Sequence, residues 1–275
     1  MKLMSFLRPD GSASWGVVQG EAVADLGDLA PTLRDAMASE VVMHADAAPL
    51  HPLASVTFLP PITNPDKIIC IGLNYLSHIR EGGREPPKQP TIFTRWANTQ
   101  VGHLQPMIRP TASHTFDFEG EMAVVIGKRA RHVPREDWAG VVAGYSCYND
   151  GSVREWQRHS SQFTPGKNFP GTGGFGPWIA TPDEVGDITR QSLVTRLNGE
   201  EVQRATIDDL VFDTPALIAY CSTFTTLEPG DVIITGTTGG VGAYREPPLW
   251  MKPGDTVEVE ISGVGILTNP IVAEA

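Results

Sequence analysis

Few folds can accommodate the stretch Phe116-Asp-Phe-Glu-Gly-Glu-Met-Ala-Val-Val-Ile126. Read as a strand, its period of two puts Asp117, Glu119 and Glu121 on one face with Ala123 and Val125, and Phe118, Met122, Val124 and Ile126 on the other. An exposed acidic edge would stay polar along its length, whereas this face turns apolar within a residue and so runs from a site into a core. Same-face neighbours stand about 6.8 Å apart along a strand. Where their oxygens converge to about 5 Å at an effective dielectric of about 20, two carboxylates repel by about 3 kcal/mol, so a cation belongs between them.

A third acid arrives in Cys147-Tyr-Asn-Asp150-Gly-Ser-Val-Arg154-Glu-Trp-Gln157, where a strand runs into a helix. Ser152 and Glu155 have capping-box spacing, which predicts a helix from Val153 to about Ser161 and leaves Asp150 on the preceding turn. From this segment alone, a turn or N-cap aspartate is the simpler reading of Asp150. If Glu119, Glu121 and Asp150 do converge, three hard oxygen donors without a His or Cys cluster suit Mg²⁺ or Mn²⁺ and not zinc. In Asn74-Tyr-Leu-Ser-His78-Ile-Arg-Glu81-Gly-Gly83, a short helix from about Tyr75 makes His78 and Glu81 neighbours on one face, a spacing that lets a carboxylate orient an imidazole as general base. A surface histidine beside a chance acid is an equally common pattern. Gly82-Gly83 and Pro86-Pro87 suggest that this segment is a mobile lid, either weakly ordered or open with His78 far from the metal when no ligand is bound.

Composition narrows the function classes. The 275 residues carry 21 Lys and Arg against 32 Asp and Glu, a net charge of −11, which disfavours binding to nucleic acid or anionic membranes. With 41% hydrophobic and 19% charged residues the chain reads as a globule. Cys70, Cys147 and Cys221 are odd in number and far apart, so neither a disulfide framework nor a zinc knuckle is expected. The first ten residues hold too short an apolar run for a signal peptide, no run suits a membrane span, and no Asn-x-Ser/Thr sequon occurs; a cytoplasmic location is expected.

Residues 1–60 alternate short apolar pieces with turns around one helix at Pro31 to Ala38, and read as a small β-rich N-terminal domain. Pro60, Pro61 and Pro65 mark an extended linker, and residues 61–275 form the second domain. There, strands are predicted near 67–72, 121–126, 141–148, 193–197, 232–235 and 256–261, with a helix at 215–222. That order does not alternate strand and helix, so an α+β class with a mixed β-roll or β-sandwich is expected over a doubly wound sheet. Gly171-Thr-Gly-Gly-Phe-Gly176 matches GxGxxG, but no strand precedes it and no helix opens in it, so it reads as a flexible turn. Gly166-Lys167 fails as a P-loop because Ser161 stands where the first glycine should.

Glu119-x-Glu121 followed by Val124-Val-Ile-Gly-Lys128, Asn149-Asp150-x-Ser-x-Arg154-x-x-Gln157, Gly166-Lys167-x-Phe169, Gly176-Pro-Trp178, Leu197-Asn-Gly-Glu200, Leu227-Glu-Pro-Gly-Asp231, Thr235-Gly-Thr237 and Lys252-Pro-Gly-Asp255 resemble, in order, the fumarylacetoacetate hydrolase family, in its acylpyruvase and dienoate-isomerase branch. The resemblance spans about Lys67 to Pro270. It implies a β-roll catalytic domain in a homodimer and a divalent metal on Glu119, Glu121 and Asp150. It also implies a water-activating pair at His78 and Glu81, an active-site lysine at Lys167, and substrate contacts from Arg154, Gln157 and Thr237. Asp117 matches no direct ligand and reads as a residue behind the metal. Asn168 and Pro170, and Thr238 after Gly236-Thr237, depart from the family pattern beside the pocket. The expected activity is hydrolysis of a carbon–carbon bond in a 2,4-diketo acid, giving pyruvate and a second acid. Decarboxylation of a β-keto acid and dienoate hydration or isomerisation are the alternatives at the same site, and a non-catalytic binding protein is the alternative of another class.

Overall fold

The computed structural model describes residues 1–275 apart from 42 and 44. Among the described residues the chain builds a 12-stranded mixed sheet, a five-stranded sheet and a two-stranded ribbon, with short helices between them. The α+β class is the one observed. In the centre of the large sheet, Gly173–Ala180, Val142–Asp150, Gly120–Ile126 and Val232–Thr237 lie side by side and antiparallel, and Ile68–Gly72 joins Val232–Thr237 in parallel.

The run Met122 to Ile126 is apolar at every position because both faces of its strand are covered. Met122, Val124 and Ile126 pack with Leu193, Val259, Ile261 and Leu267 of the second sheet and with Leu217, Ile218 and Cys221 of the helix Thr214–Phe224. Ala123 and Val125 point the other way, into a cluster with Tyr148, Phe175, Trp15 and Leu33. Asp213 caps the helix Thr214–Phe224, its side chain accepting from Ala216 N at 3.0 Å, and Pro215 occupies its first turn. The five strands of the second sheet run in the order Glu200–Thr206, Ser192–Leu197, Thr256–Ile261, Gly265–Ala273, Met107–Arg109.

The N-terminal strands Lys2–Leu7, Ala13–Gln19, Ala22–Asp25 and Leu50–Pro52 extend the large sheet, joined to it where Lys2 pairs with Ala180 and Leu3 with Ile179. The proline-rich stretch 58–66 lies against them: Phe58 pairs with Phe6, Ser5 Oγ donates to the Pro61 carbonyl at 2.7 Å, and Ile62 is buried.

Two local expectations are corrected. The helix expected from Val153 covers only Arg154–Gln157, because Ser152 pairs in a ribbon with Asp117 and turns its hydroxyl back to the Asp150 carbonyl, while Glu155 accepts from Ser113; the capping box does not form. The glycine run read as a turn is one only at Gly171, and Gly173–Ala180 is a central strand; the one-turn helix Pro182–Val185 starts past the motif. Its glycines make room for neighbours: a Cβ on Gly173 would stand 2.8 Å from Tyr148 Oη and 3.0 Å from Arg95 Nη2, and one on Gly174 2.6 Å from Asn269 Oδ1.

Candidate active site

Strand register brings the acids together. Asp150 N donates to the Glu119 carbonyl at 2.8 Å and Glu121 pairs with Tyr148, so Glu119 and Asp150 face each other across two strands while Glu121 lies two residues along. Ligand oxygens of Glu119, Glu121 and Asp150 all lie within 4.8 Å of one another, and all three residues are buried. Asp150, expected on a turn, ends the strand Val142–Asp150.

Lys167 supplies a cation between two of them, its Nζ 2.5 Å from Glu119 Oε2 and 2.6 Å from Asp150 Oδ2. It is the last residue of the short helix Thr164–Lys167, whose Gly166 lies so close to Gln157 that a Cβ would stand 2.4 Å from Gln157 N. Arg154 Nη1 reaches Glu119 Oε1 at 2.6 Å and Gln157 Oε1 at 2.9 Å. Arg95 was not singled out from sequence; fully buried, it binds Asp150 Oδ1 at 2.6 Å, Thr172 Oγ1 at 2.7 Å and the Gly151 carbonyl at 3.1 Å. The signal in the sequence is that Arg95 ends this strand on the same face as Phe93, two residues before it.

Four buried carboxylates, with Asp117 as the fourth, face three buried cations, leaving one negative charge uncompensated. The imbalance falls on Glu121. Burial, and then the neighbouring charges of Asp150 and Glu119, hold its carboxyl well above the usual range; among the described residues the Gly236 amide, 2.6 Å from Oε2, is its only hydrogen-bond donor. Burial also pushes Glu119 up, but Lys167, Arg154 and His78 outweigh it and bring Glu119 down to about 2. A cluster of three hard donors with an unmet negative charge is what a divalent cation fits.

Gly236 lets its amide approach. It sits at φ +105°, where a Cβ would stand 2.7 Å from Asn74 Cβ and 3.0 Å from the Ile71 carbonyl. Asn74 in turn donates to the Thr235 and Phe212 carbonyls at 2.7 and 3.0 Å and accepts from Phe212 N, fixing the chain just before the helix Leu76–Glu81. On that helix His78 Nδ1 lies 2.8 Å from Glu81 Oε1, and the second Glu81 oxygen accepts from Gly240 N at 2.8 Å. With Nδ1 engaged by a carboxylate, the imidazole keeps Nε2 as its free nitrogen.

One cavity of about 500 Å³ is lined by His78, Glu119, Glu121, Arg154, Gln157, Lys167 and Thr237, so seven of the nine expected site residues share it. Glu81 and Asp150 stand behind as partners of His78 and Lys167. Thr237 is spent on structure as well, its hydroxyl donating to the Gly120 carbonyl and accepting from Gln203 Nε2. The lid is docked in this structure, not open: Ser77 Oγ accepts from Gly239 N at 3.0 Å, and the Tyr244 ring lies 6.0 Å from that of His78. Arg84 and Arg158 also line the cavity, both exposed, and the described residues form no ion pair with either.

Comparison with known proteins follows this geometry. A family model described as fumarylacetoacetate (FAA) hydrolase C-terminal matches residues 67–272. The mitochondrial oxaloacetate tautomerase Fahd2a of Rattus norvegicus is 41% identical over 265 residues, covering 92% of this chain and 85% of its own. The human oxaloacetate tautomerase FAHD2A is 40% identical over 266 residues, with the same coverage. Among solved structures, a fumarylacetoacetate hydrolase from Exiguobacterium antarcticum superposes with a TM-score of 0.90 at 34% identity, and a maleylpyruvate hydrolase from Sphingobium sp. SYK-6, in complex with manganese(II) and pyruvate, with 0.82 at 30%; each covers 100% of both chains.

Proposed function

This chain belongs to the fumarylacetoacetate hydrolase family, and on that premise we propose that it is a divalent-metal-dependent enzyme of enolate chemistry that interconverts the keto and enol forms of a 2-oxo dicarboxylic acid of the oxaloacetate type. The observation that carries the reading is that His78, hydrogen-bonded to Glu81, lines the same cavity as Glu119 and Glu121 of a buried three-carboxylate cluster that lacks one counter-charge. Relatives named oxaloacetate tautomerase at 40 to 41% identity favour this reaction over the carbon–carbon hydrolysis expected from sequence.

Glu119, Glu121 and Asp150 would hold Mg²⁺ or Mn²⁺, which supplies the positive charge that an enolate oxygen beside a carboxylate requires. His78, held through Nδ1 by Glu81, takes the C3 proton at Nε2. The C3–H electron pair becomes the C2–C3 π bond as the carbonyl π pair moves to the C2 oxygen, which takes the proton, so nothing is consumed and no σ bond to carbon other than C–H is broken. Lys167 and Arg154 keep Glu119 ionised and fixed. Arg84 and Arg158 give a second substrate carboxylate two uncommitted cations at the rim, in a protein that is otherwise strongly acidic.

Decay of the enol ultraviolet band of oxaloacetate with Mg²⁺ or Mn²⁺ tests the reading. His78→Ala is expected to slow it by about 10² to 10⁴, the range for a lost general base, and Glu121→Ala to abolish metal-dependent activity. Arg84→Ala and Arg158→Ala are expected to raise KM for oxaloacetate with little change for acylpyruvates lacking the second carboxylate. Enol decay no faster than with metal alone overturns the proposal. The cavity, at about 500 Å³, has room beyond a four-carbon acid, which favours acylpyruvate hydrolysis as the second reading. A coupled pyruvate assay decides between them: pyruvate release from acylpyruvates at a rate matching tautomerisation makes hydrolysis the better description.

A further inference from the structure

Among the described residues Asp117 is the one buried carboxylate near the site that belongs to neither the cluster nor the cavity lining, yet it accepts four hydrogen bonds. Its Oδ2 takes Arg154 Nε at 2.8 Å and Ala243 N at 2.9 Å; its Oδ1 takes Gly242 N at 2.8 Å and Phe118 N at 2.9 Å. All four partners are donors, so the ionised form is the one the site satisfies. On one side the bonds lead through Arg154 to Glu119. On the other they fix the turn 242–244 of a loop on which the lid rests. Gly240 N of that loop holds Glu81 Oε2, Gly239 N holds Ser77 Oγ, and Tyr244 lies against His78. The loop is braced internally where Arg245 Nε donates to the Gly240 carbonyl at 3.0 Å. Gly242 is required there, since a Cβ would stand 2.6 Å from Asp117 Oδ1 and 1.7 Å from the Leu249 carbonyl.

We propose that Asp117 is a positioning residue that couples the carboxylate cluster to the lid: it grips at once the arginine that pairs with Glu119 and the loop on which His78 and Glu81 are docked. The role given to His78 and Glu81 rests on the function proposed above; the mechanical link does not. Arg154 divides its guanidinium between Glu119 and Asp117, so a change in the charge around Glu119 alters the pull on Asp117 and through it on the lid's seat.

Hydrogen exchange of the lid, residues 76–83, in the full chain tests the link, first without additions and then with Mg²⁺ and oxalate as an enolate mimic. Asp117→Asn keeps the shape, removes the charge and turns an amide N–H₂ toward a donor. It is expected to speed lid exchange by about tenfold or more without additions and to remove any further slowing by oxalate, leaving the second-sheet strands Ser192–Leu197 and Thr256–Ile261 unchanged. Ala243→Pro deletes one donor to Asp117 without altering any charge, and is expected to act in the same direction more weakly; it decides the matter should Asp117→Asn not fold. Lid exchange at the wild-type rate in the folded variant overturns the proposal. Oxalate failing to bind the wild type by calorimetry counts against the proposed function alone, because the arm without additions still reads the link.

Discussion

Glu121 bears the electrostatic cost of the cluster. Lys167 and Arg154 attend to Glu119, and Lys167 and Arg95 to Asp150, whereas Glu121 has one backbone amide. Because burial and its acidic neighbours raise its carboxyl above the free value, there is a pH range above that value in which the metal-free protein keeps a proton that the unfolded chain has lost. The sign follows: stability of the metal-free form falls as pH rises above the free glutamate range, and metal binding displaces the proton. Calorimetric titration with Mg²⁺ in buffers of different ionisation enthalpy is expected to show proton release and an affinity that rises with pH. Glu121→Gln should abolish the release. Proton uptake in the wild type would mean that the charge deficit lies elsewhere.

At the scale of elements, the strand Val232–Thr237 links cluster and lid, since Gly236 serves both: its amide holds Glu121 and its missing side chain admits Asn74. Gly236→Ala forces a left-handed residue, costing about 1–2 kcal/mol, and also presses a methyl on Asn74. The expected outcome is a lower melting temperature with weaker Mg²⁺ binding and a less ordered lid, read by thermal unfolding and hydrogen exchange; equal Mg²⁺ affinity would show that the Gly236 amide is dispensable to Glu121. Thr235-Gly-Thr237 could be seen in the sequence as a motif, but its task could not, because Asn74 and Glu121 lie more than a hundred residues away in the chain. The lid helix was legible at about Tyr75 to Glu81, and the i, i+3 placement of His78 and Glu81 followed from it. The helix after Asp150 was misread because Ser152 found a partner strand, and a capping box is only a local preference that a tertiary pairing overrides.

For the whole molecule, the N-terminal strands matter as a continuation of one sheet. Asp25 locks them: Arg8 Nε at 2.5 Å, Ser14 Oγ at 2.5 Å, Gly27 N at 3.0 Å and His51 Nε2 at 3.2 Å converge on its carboxylate. Burial pushes Asp25 up, but Arg8, Ser14 and the Gly27 amide outweigh it and bring it from 3.8 to about 2. A depressed carboxyl stabilises fully above its unfolded value and loses that contribution as pH falls through the folded one, so the window lies between about pH 4 and 2. Urea midpoints are expected to fall across that window in the wild type and to change less in Asp25→Asn, which starts lower at neutral pH. Parallel curves for the two proteins would remove Asp25 from the account.

The sequence by itself determined the class of the fold and which residue types could meet at a site. Alternating acids that run into an apolar strand, a histidine one helical turn from a glutamate, and an ordered series of glycine- and proline-marked turns are local patterns, written in period and residue type. Only the tertiary structure decided the rest: that Asp150 stands opposite Glu119, that Lys167 and Arg95 neutralise it, that Arg154 is shared between Glu119 and Asp117, and that the lid rests on a loop held by that same aspartate. Each of these depends on the register between strands distant in sequence, and register is set by how two faces of a sheet fill their cores, a property that no single segment carries.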